Sequence, residues 1–156
     1  DLPFSAEVVI GGGGTALPTV SALADAGFAS IRLVVRSPER AADVAALAGV
    51  LGLRCDFLPF ASSPELTEAC RTARVVVTTV PSPAAEPLID SVRVARAVVD
   101  VIYDPWPTPL AAAVTESGGR VVGGLVMLLN QAYSQVEQFT GLPAPREAMA
   151  AAIAAG

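Results

Sequence analysis

Short apolar runs alternate along this chain with longer stretches of helix-forming residues, and glycines or prolines mark most of the joints. Residues 7–10 predict a first strand, halted by Gly11-Gly12-Gly13-Gly14. Residues 15–26 predict a helix. Pro18 is tolerated in its first turn, where N–H groups lack intrahelical partners, and Gly27 ends it. Residues 31–35 read as a second strand. Ser37-Pro38 then predicts a helix start, with Ser37 as cap and Pro38 in the first helical position, continuing over 41–51 to Gly52. A third strand over 54–58 precedes a short helix over 64–71, capped by Ser63.

The runs at 74–79 and 97–102 are continuous and apolar, the kind that parallel sheets cover on both faces. Between them, Pro81, Pro83 and Pro87 predict a loop leading into a short helix near 88–92. Thr108-Pro109 repeats the cap-then-proline device for a helix that ends at Gly118-Gly119. Residues 120–122 predict a sixth strand, 125–139 the longest helix and 146–155 a final Ala-rich one. This alternation predicts an α/β fold: a doubly wound, mostly parallel six-stranded sheet of Rossmann type. Right-handed crossovers favour the strand order 3-2-1-4-5-6, with the ligand crevice between strands one and four. The length, 156 residues, fits one domain over 1–156.

Composition narrows the chemistry. A net charge of −5 argues against non-specific nucleic-acid binding. No apolar run reaches the roughly 18 residues that predict a membrane helix. No charged-then-apolar leader is visible, so the expected compartment is the cytoplasm. All basic residues are Arg. The absence of Lys and His removes the commonest general base, the Schiff-base residue and the commonest metal ligand. No catalytic residue and no metal are therefore expected within this chain. Cys55 and Cys70 are too few for a zinc site and read as free thiols. The chain lacks an initiator Met and enters almost directly on a strand, which reads as a piece of a longer protein.

Two local patterns point to a dinucleotide. Gly11-x-Gly13-x-x-Ala16 has the spacing of the G-x-G-x-x-G/A fingerprint. Gly11 permits the tight strand-to-helix turn, Gly13 lets the backbone approach a pyrophosphate, and Ala16 lets helix and strand pack closely. The N–H groups of the following helix then face the anion. NAD sites place an Asp or Glu at the end of the second strand, about 20 residues after the glycines. Here that place holds Val35-Arg36-Ser37, with Arg40 one turn later. Two guanidinium groups and a hydroxyl suit a phosphate, which favours NADP over NAD.

The segments that follow the fifth and sixth strands carry a resemblance. Tyr103, Pro105, Thr108, Pro109 and Leu110 meet the Tyr-x-Pro-x-x-Thr-Pro-Leu pattern of shikimate dehydrogenases. Gly124, Met127, Leu128, Gln131 and Ala132 meet that family's Gly-x-x-Met-Leu-x-x-Gln-Ala pattern. The glycine loop and Arg36-Ser37 with Arg40 are similar to its cofactor motifs. The chain thus resembles, over nearly its whole length, the C-terminal NADP-binding half of shikimate dehydrogenase. The resemblance implies that Gly11, Gly12, Gly13, Gly14 and Thr15 hold the pyrophosphate, and that Arg36, Ser37 and Arg40 hold the 2′-phosphate. Thr78, Val101 and Gly124 would line the nicotinamide side. Tyr103 and Gln131 would reach the substrate, shikimate or 3-dehydroshikimate.

The resemblance also implies a missing partner domain, N-terminal to this one, whose Lys and Asp act on the substrate. A homodimer is one assembly compatible with it. Three departures stand out: Val35 replaces the family's Asn, Thr78-Thr79-Val80-Pro81 replaces Asn-Ala-Thr-Ser, and Gly123 replaces Asp. Two other readings remain open from sequence. One is a quinate/shikimate relative that uses NAD more readily; the other is a regulatory module that binds NADP without turnover.

Overall fold

A computed structural model describes residues 6–154. Six strands form one parallel sheet: β1 (Glu7–Ile10), β2 (Ser30–Val35), β3 (Arg54–Pro59), β4 (Val76–Thr78), β5 (Ala97–Asp100) and β6 (Arg120–Gly123). Their order, β3-β2-β1-β4-β5-β6, is the expected one. Among the described residues, eight α-helices connect and flank them: α1 (Ala16–Asp25), α2 (Ala42–Val50), α3 (Pro64–Thr72), α4 (Ser82–Ala85), α5 (Ile89–Val92), α6 (Pro109–Glu116), α7 (Gly124–Thr140) and α8 (Arg146–Ala154). The final position expected for α8, Ala155, and the chain start at Asp1 lie outside the described residues.

Side chains alternate across a strand, so β1 feeds two cores. Val8 and Ile10 join Val34, Leu66, Leu88 and Leu110 on one face. Val9 joins Val20, Ile31, Leu33 and Val44 on the other. Every residue of β1 is buried, whereas the edge strand β6 alternates exposed and half-buried positions. That gradient explains why the central strands read as unbroken apolar runs. Cys55 and Cys70 are both free, and burial pushes the Cys70 thiol up to about 12. That keeps it in the unreactive protonated form.

Strand ends are set by side chains that take over backbone donors. Glu7 is buried, and its carboxylate accepts from the Val75 N–H at 2.9 Å and the Arg74 Nε at 3.3 Å. β4 therefore begins later than the apolar run suggests. β5 ends at Asp100 because the Asp100 carboxylate itself accepts the Ile102 N–H at 3.2 Å.

Two local expectations are corrected. Ser37 does not cap a helix: a 3-10 turn over Glu39–Ala41 comes first, and α2 starts with Ala41 in the cap position. The Ser37 hydroxyl donates instead to the Glu39 carboxylate at 2.6 Å. The proline-rich segment after β4 is helical rather than a loop, running through α4, a 3-10 turn over Glu86–Leu88 and α5. Pro81 precedes α4, while Pro83 and Pro87 each sit in the first two positions of a short helix. No N–H partner is needed there, so the prolines start turns instead of breaking them.

Candidate functional site

The carboxyl ends of β1, β2 and β4 converge where the strand order reverses, the usual place for a ligand in an open α/β sheet. A cleft of about 480 Å³ opens there, lined by Gly11, Gly12, Gly13, Val35, Arg36, Ser37, Arg40, Ala41, Phe60, Val80, Pro81 and Ala84. Six of the residues expected to hold the cofactor therefore stand on one surface. Gly14 and Thr15 continue the same turn without lining the cleft.

The glycines divide into two jobs. Gly11 has φ +109°, and a Cβ there would lie 2.5 Å from Thr79 Oγ1 and 2.9 Å from Val80 Cγ1. Its freedom lets the β1 end approach the β4 end, where Thr79 Oγ1 donates to the Ile10 carbonyl at 2.9 Å. At Gly12, a Cβ would lie 2.7 Å from the Ala41 Cβ, so this glycine admits the turn that leads into α2. Around Gly13 and Gly14 there is nothing within 4 Å of a Cβ. The first pair is required by packing; the second leaves open space beside the start of α1. Thr15 precedes α1 and makes no side-chain cap bond there.

The basic side of the cleft is partly prearranged. The Arg36 guanidinium stands 4.9 Å from the centroid of the Phe60 ring, in cation–π geometry. Phe60 was not evident as a site residue in the sequence. The pairing of Val35 with Pro59 would have pointed to it, because it brings the ends of β2 and β3 side by side. Arg40 is exposed at the same cleft. The bond from Ser37 lowers the pKa of Glu39, which keeps that carboxylate ionised.

A second group lies past β5 and β6. The Gly124 N–H donates to the Ile102 carbonyl at 3.0 Å. A Cβ on Gly124 would overlap the Val101 carbonyl oxygen, so Val101 and Gly124 meet backbone to backbone. Tyr103 is 52 % exposed on the loop after β5, and Gln131 is exposed on α7. Gly123 lies beneath the Trp106 ring, whose nearest atom would be 2.7 Å from a Cβ. The indole thus fills the space a side chain at 123 would need, which accounts for the glycine there. Thr78 is fully buried in β4, between Ile10 and Asp100 in register, and its Oγ1 has no hydrogen-bond partner. It does not line the cleft.

Asp100 anchors the loop that carries Val101 and Tyr103. It is 2 % exposed, and its carboxylate accepts the Thr108 hydroxyl at 2.6 Å as well as the Ile102 N–H. Thr108 Oγ1 in turn accepts the Ala111 N–H at 3.1 Å, capping α6. Burial raises the Asp100 pKa, and the two hydrogen bonds oppose that rise. A raised carboxylate pKa means that the folded state holds the proton more tightly than the unfolded one. Stability therefore falls as pH rises from the unfolded value through the folded one.

Thr108→Val is expected to remove both the cap and the carboxylate's shorter bond. The cost is about 2.5–4 kcal/mol at neutral pH, from a cap of roughly 1 kcal/mol and a charged-group bond of roughly 1.5–3. Without that bond the pKa rises further, so the deficit should shrink as pH falls through the raised Asp100 pKa. Urea melts at pH 4 and pH 7 measure this; an equal loss at both would show that Asp100 is not the partner that matters.

Residues 124–154 match the shikimate 5'-dehydrogenase C-terminal domain family. Over 137 residues the chain is 39% identical to a shikimate dehydrogenase (NADP(+)) of Paramagnetospirillum magneticum, covering 85% of this chain and 48% of that protein. The shikimate dehydrogenase structure from Mycobacterium tuberculosis is 47% identical, with a TM-score of 0.91 over 97% of this chain and 57% of that one. Over most of its length this chain is similar to shikimate dehydrogenases. A shikimate 5-dehydrogenase structure from Mycobacterium fortuitum agrees, at 45% identity and a TM-score of 0.88 over 95% of this chain and 55% of that one. The chain spans about half the length of the curated shikimate dehydrogenases it matches.

Among the described residues, no helix is long and apolar enough to cross a membrane. No cluster of three or more His, Cys, Asp or Glu side chains suited to a metal occurs among them either.

Proposed function

We propose that this chain is the NADP-binding half of a shikimate dehydrogenase. The enzyme would reduce 3-dehydroshikimate to shikimate with NADPH in the cytoplasm, on the route to aromatic amino acids. One observation carries the reading: Arg36, Ser37 and Arg40 stand on the same cleft as the glycine turn. That arrangement fits a 2′-phosphorylated dinucleotide. Open space at Gly13 and Gly14 admits a pyrophosphate, and the start of α1 supplies donors. NADPH, when bound, supplies the hydride. The chain's own part is to hold and orient it. The relative from P. magneticum is named for NADP(+). A quinate/shikimate relative preferring NAD is disfavoured by the two arginines.

Val101 and Gly124 are assigned to the nicotinamide end, and Tyr103 and Gln131 to the substrate. Thr78 is assigned a supporting place beneath the crevice. With no Lys and no His in the sequence, the proton-transfer groups are assigned to a second domain. Titration of the 156-residue chain with NADPH and NADH, followed by nicotinamide fluorescence, tests the reading. Tighter binding of NADPH, without shikimate oxidation by this chain, is the expected result. Turnover of shikimate by the chain alone would overturn the division of labour.

In an enzyme holding both halves, Gln131→Ala and Tyr103→Phe should raise the KM for shikimate several-fold, with the affinity for NADPH nearly unchanged. A neutral hydrogen bond contributes roughly 0.5–1.5 kcal/mol. Equal losses in cofactor and substrate binding would misplace both residues.

A further inference from the structure

The place where NAD sites carry a carboxylate is taken here by Val35-Arg36-Ser37, and the 3-10 turn brings a carboxylate behind Ser37 without placing it on the cleft lining. Glu39 folds so that its Oε2 accepts the Ser37 hydroxyl at 2.6 Å. Ser37 lines the cleft between Arg36 and Arg40, and Glu39 is exposed beside it. Among the described residues, no ion pair joins Glu39 to either arginine. Its charge is therefore not spent on them. We propose that Glu39 sets the dinucleotide preference of this cleft by opposing a 2′-phosphate and by holding the Ser37 proton, so that Ser37 faces a 2′-hydroxyl as an acceptor. The proposal rests on the NADP reading above.

The chemistry follows from donor and acceptor counts. A serine hydroxyl has one proton to give. While that proton points at Glu39, Ser37 presents only lone pairs to the cleft. A phosphate carries acceptors alone, so it must draw the Ser37 proton away from Glu39 and meets a second negative charge behind it. The arginines must overcome both. A ribose 2′-hydroxyl can donate, and Ser37, its own proton held by Glu39, offers it an acceptor. The cleft thus holds two recognition devices of opposite sign. Discrimination is the difference between them, and an element that repels one ligand contributes as much to it as one that attracts the other.

The test compares NADPH and NADH titrations of the wild-type chain, Glu39→Gln and Glu39→Ala, each with and without Ser37→Ala. Both Glu39 variants should raise the NADPH-to-NADH affinity ratio about five- to tenfold at low salt. The gain should shrink at high salt, because exposed charges are screened. Ser37→Ala should cost NADPH binding little in the wild type, where the proton is held by Glu39. It should cost several-fold more in the Glu39→Ala background, where that hydroxyl has lost its acceptor and is free to turn to the phosphate. This non-additivity is a signature that a merely structural role for Glu39 would not give. A wild type that prefers NADPH, with an unchanged ratio in both Glu39 variants, overturns the proposal and leaves the NADP reading intact. A wild type that prefers NADH, or binds neither cofactor, overturns the NADP reading and the proposal with it.

Discussion

Arg40→Ala is expected to weaken NADPH binding about 10- to 100-fold and to leave NADH binding within about twofold. Charge-assisted hydrogen bonds contribute roughly 1.5–3 kcal/mol, and each 1.4 kcal/mol or so is tenfold in affinity. Arg40 lines the cleft from the turn before α2, and under the proposed function it takes the 2′ end of the dinucleotide. NADH offers no charge there, so its affinity has little to lose. Arg36→Ala should act in the same direction by a similar order. Arg36 also lies against Phe60, so its loss removes a prearranged guanidinium as well as a charge. Both effects should shrink with added salt. Paired titrations of wild type and Arg40→Ala in both cofactors are sufficient. Equal weakening of NADPH and NADH would make the arginines general supports of the fold.

Gly124→Ala is expected to be among the most destabilising single substitutions in the chain. The added Cβ would overlap the Val101 carbonyl oxygen and lie 2.7 Å from its carbon, with the Ile102 carbonyl carbon at 3.1 Å. All three are backbone atoms, so no rotamer change relieves the clash. Overpacking of this kind costs about 1–3 kcal/mol and occasionally more. In a domain of this size each kcal/mol is worth roughly 2–4 °C in Tm. At the upper end of that cost, about 3 kcal/mol, the expected loss is about 6–12 °C. It should come with a weakened bond from Gly124 to Ile102, the contact that ties α7 to the loop carrying Val101 and Tyr103. Gly14→Ala is the control: it meets nothing within 4 Å and should melt within about 2 °C of wild type. Melting of both variants by circular dichroism decides it. A wild-type Tm for Gly124→Ala would mean that the β5 and β6 ends are held apart in solution.

The order of strands and helices was legible because it depends on local rules. Apolar runs of strand length, glycine stops and the cap-then-proline starts at Ser63-Pro64 and Thr108-Pro109 all formed as expected, with both caps bonded. The same pattern misled at Ser37-Pro38. A cap needs the serine oxygen to accept an N–H of the first helical turn, and here the 3-10 turn starts one residue later, behind Pro38, so Ser37 stands outside it and only donates to Glu39. The prolines after β4 misled in the opposite sense, since a proline at a helix start and a proline in a loop look alike in a string.

The amino-acid sequence by itself determined the parallel sheet, the glycine turn and the basic residues beside it. Spacing along one strand and one turn is enough to place those. Only the tertiary structure decided what stands next to them across the sheet. Phe60 meets Arg36 because β3 pairs with β2, and Trp106 covers Gly123 because the loop after β5 folds over the end of β6. Likewise, only packing separated glycines that share one motif. Gly11 and Gly12 face Thr79 and Ala41, 68 and 29 residues further along, while Gly13 and Gly14 face open space. Contacts between distant residues are fixed by strand register and crossover, and a linear pattern of residue types does not carry those distances.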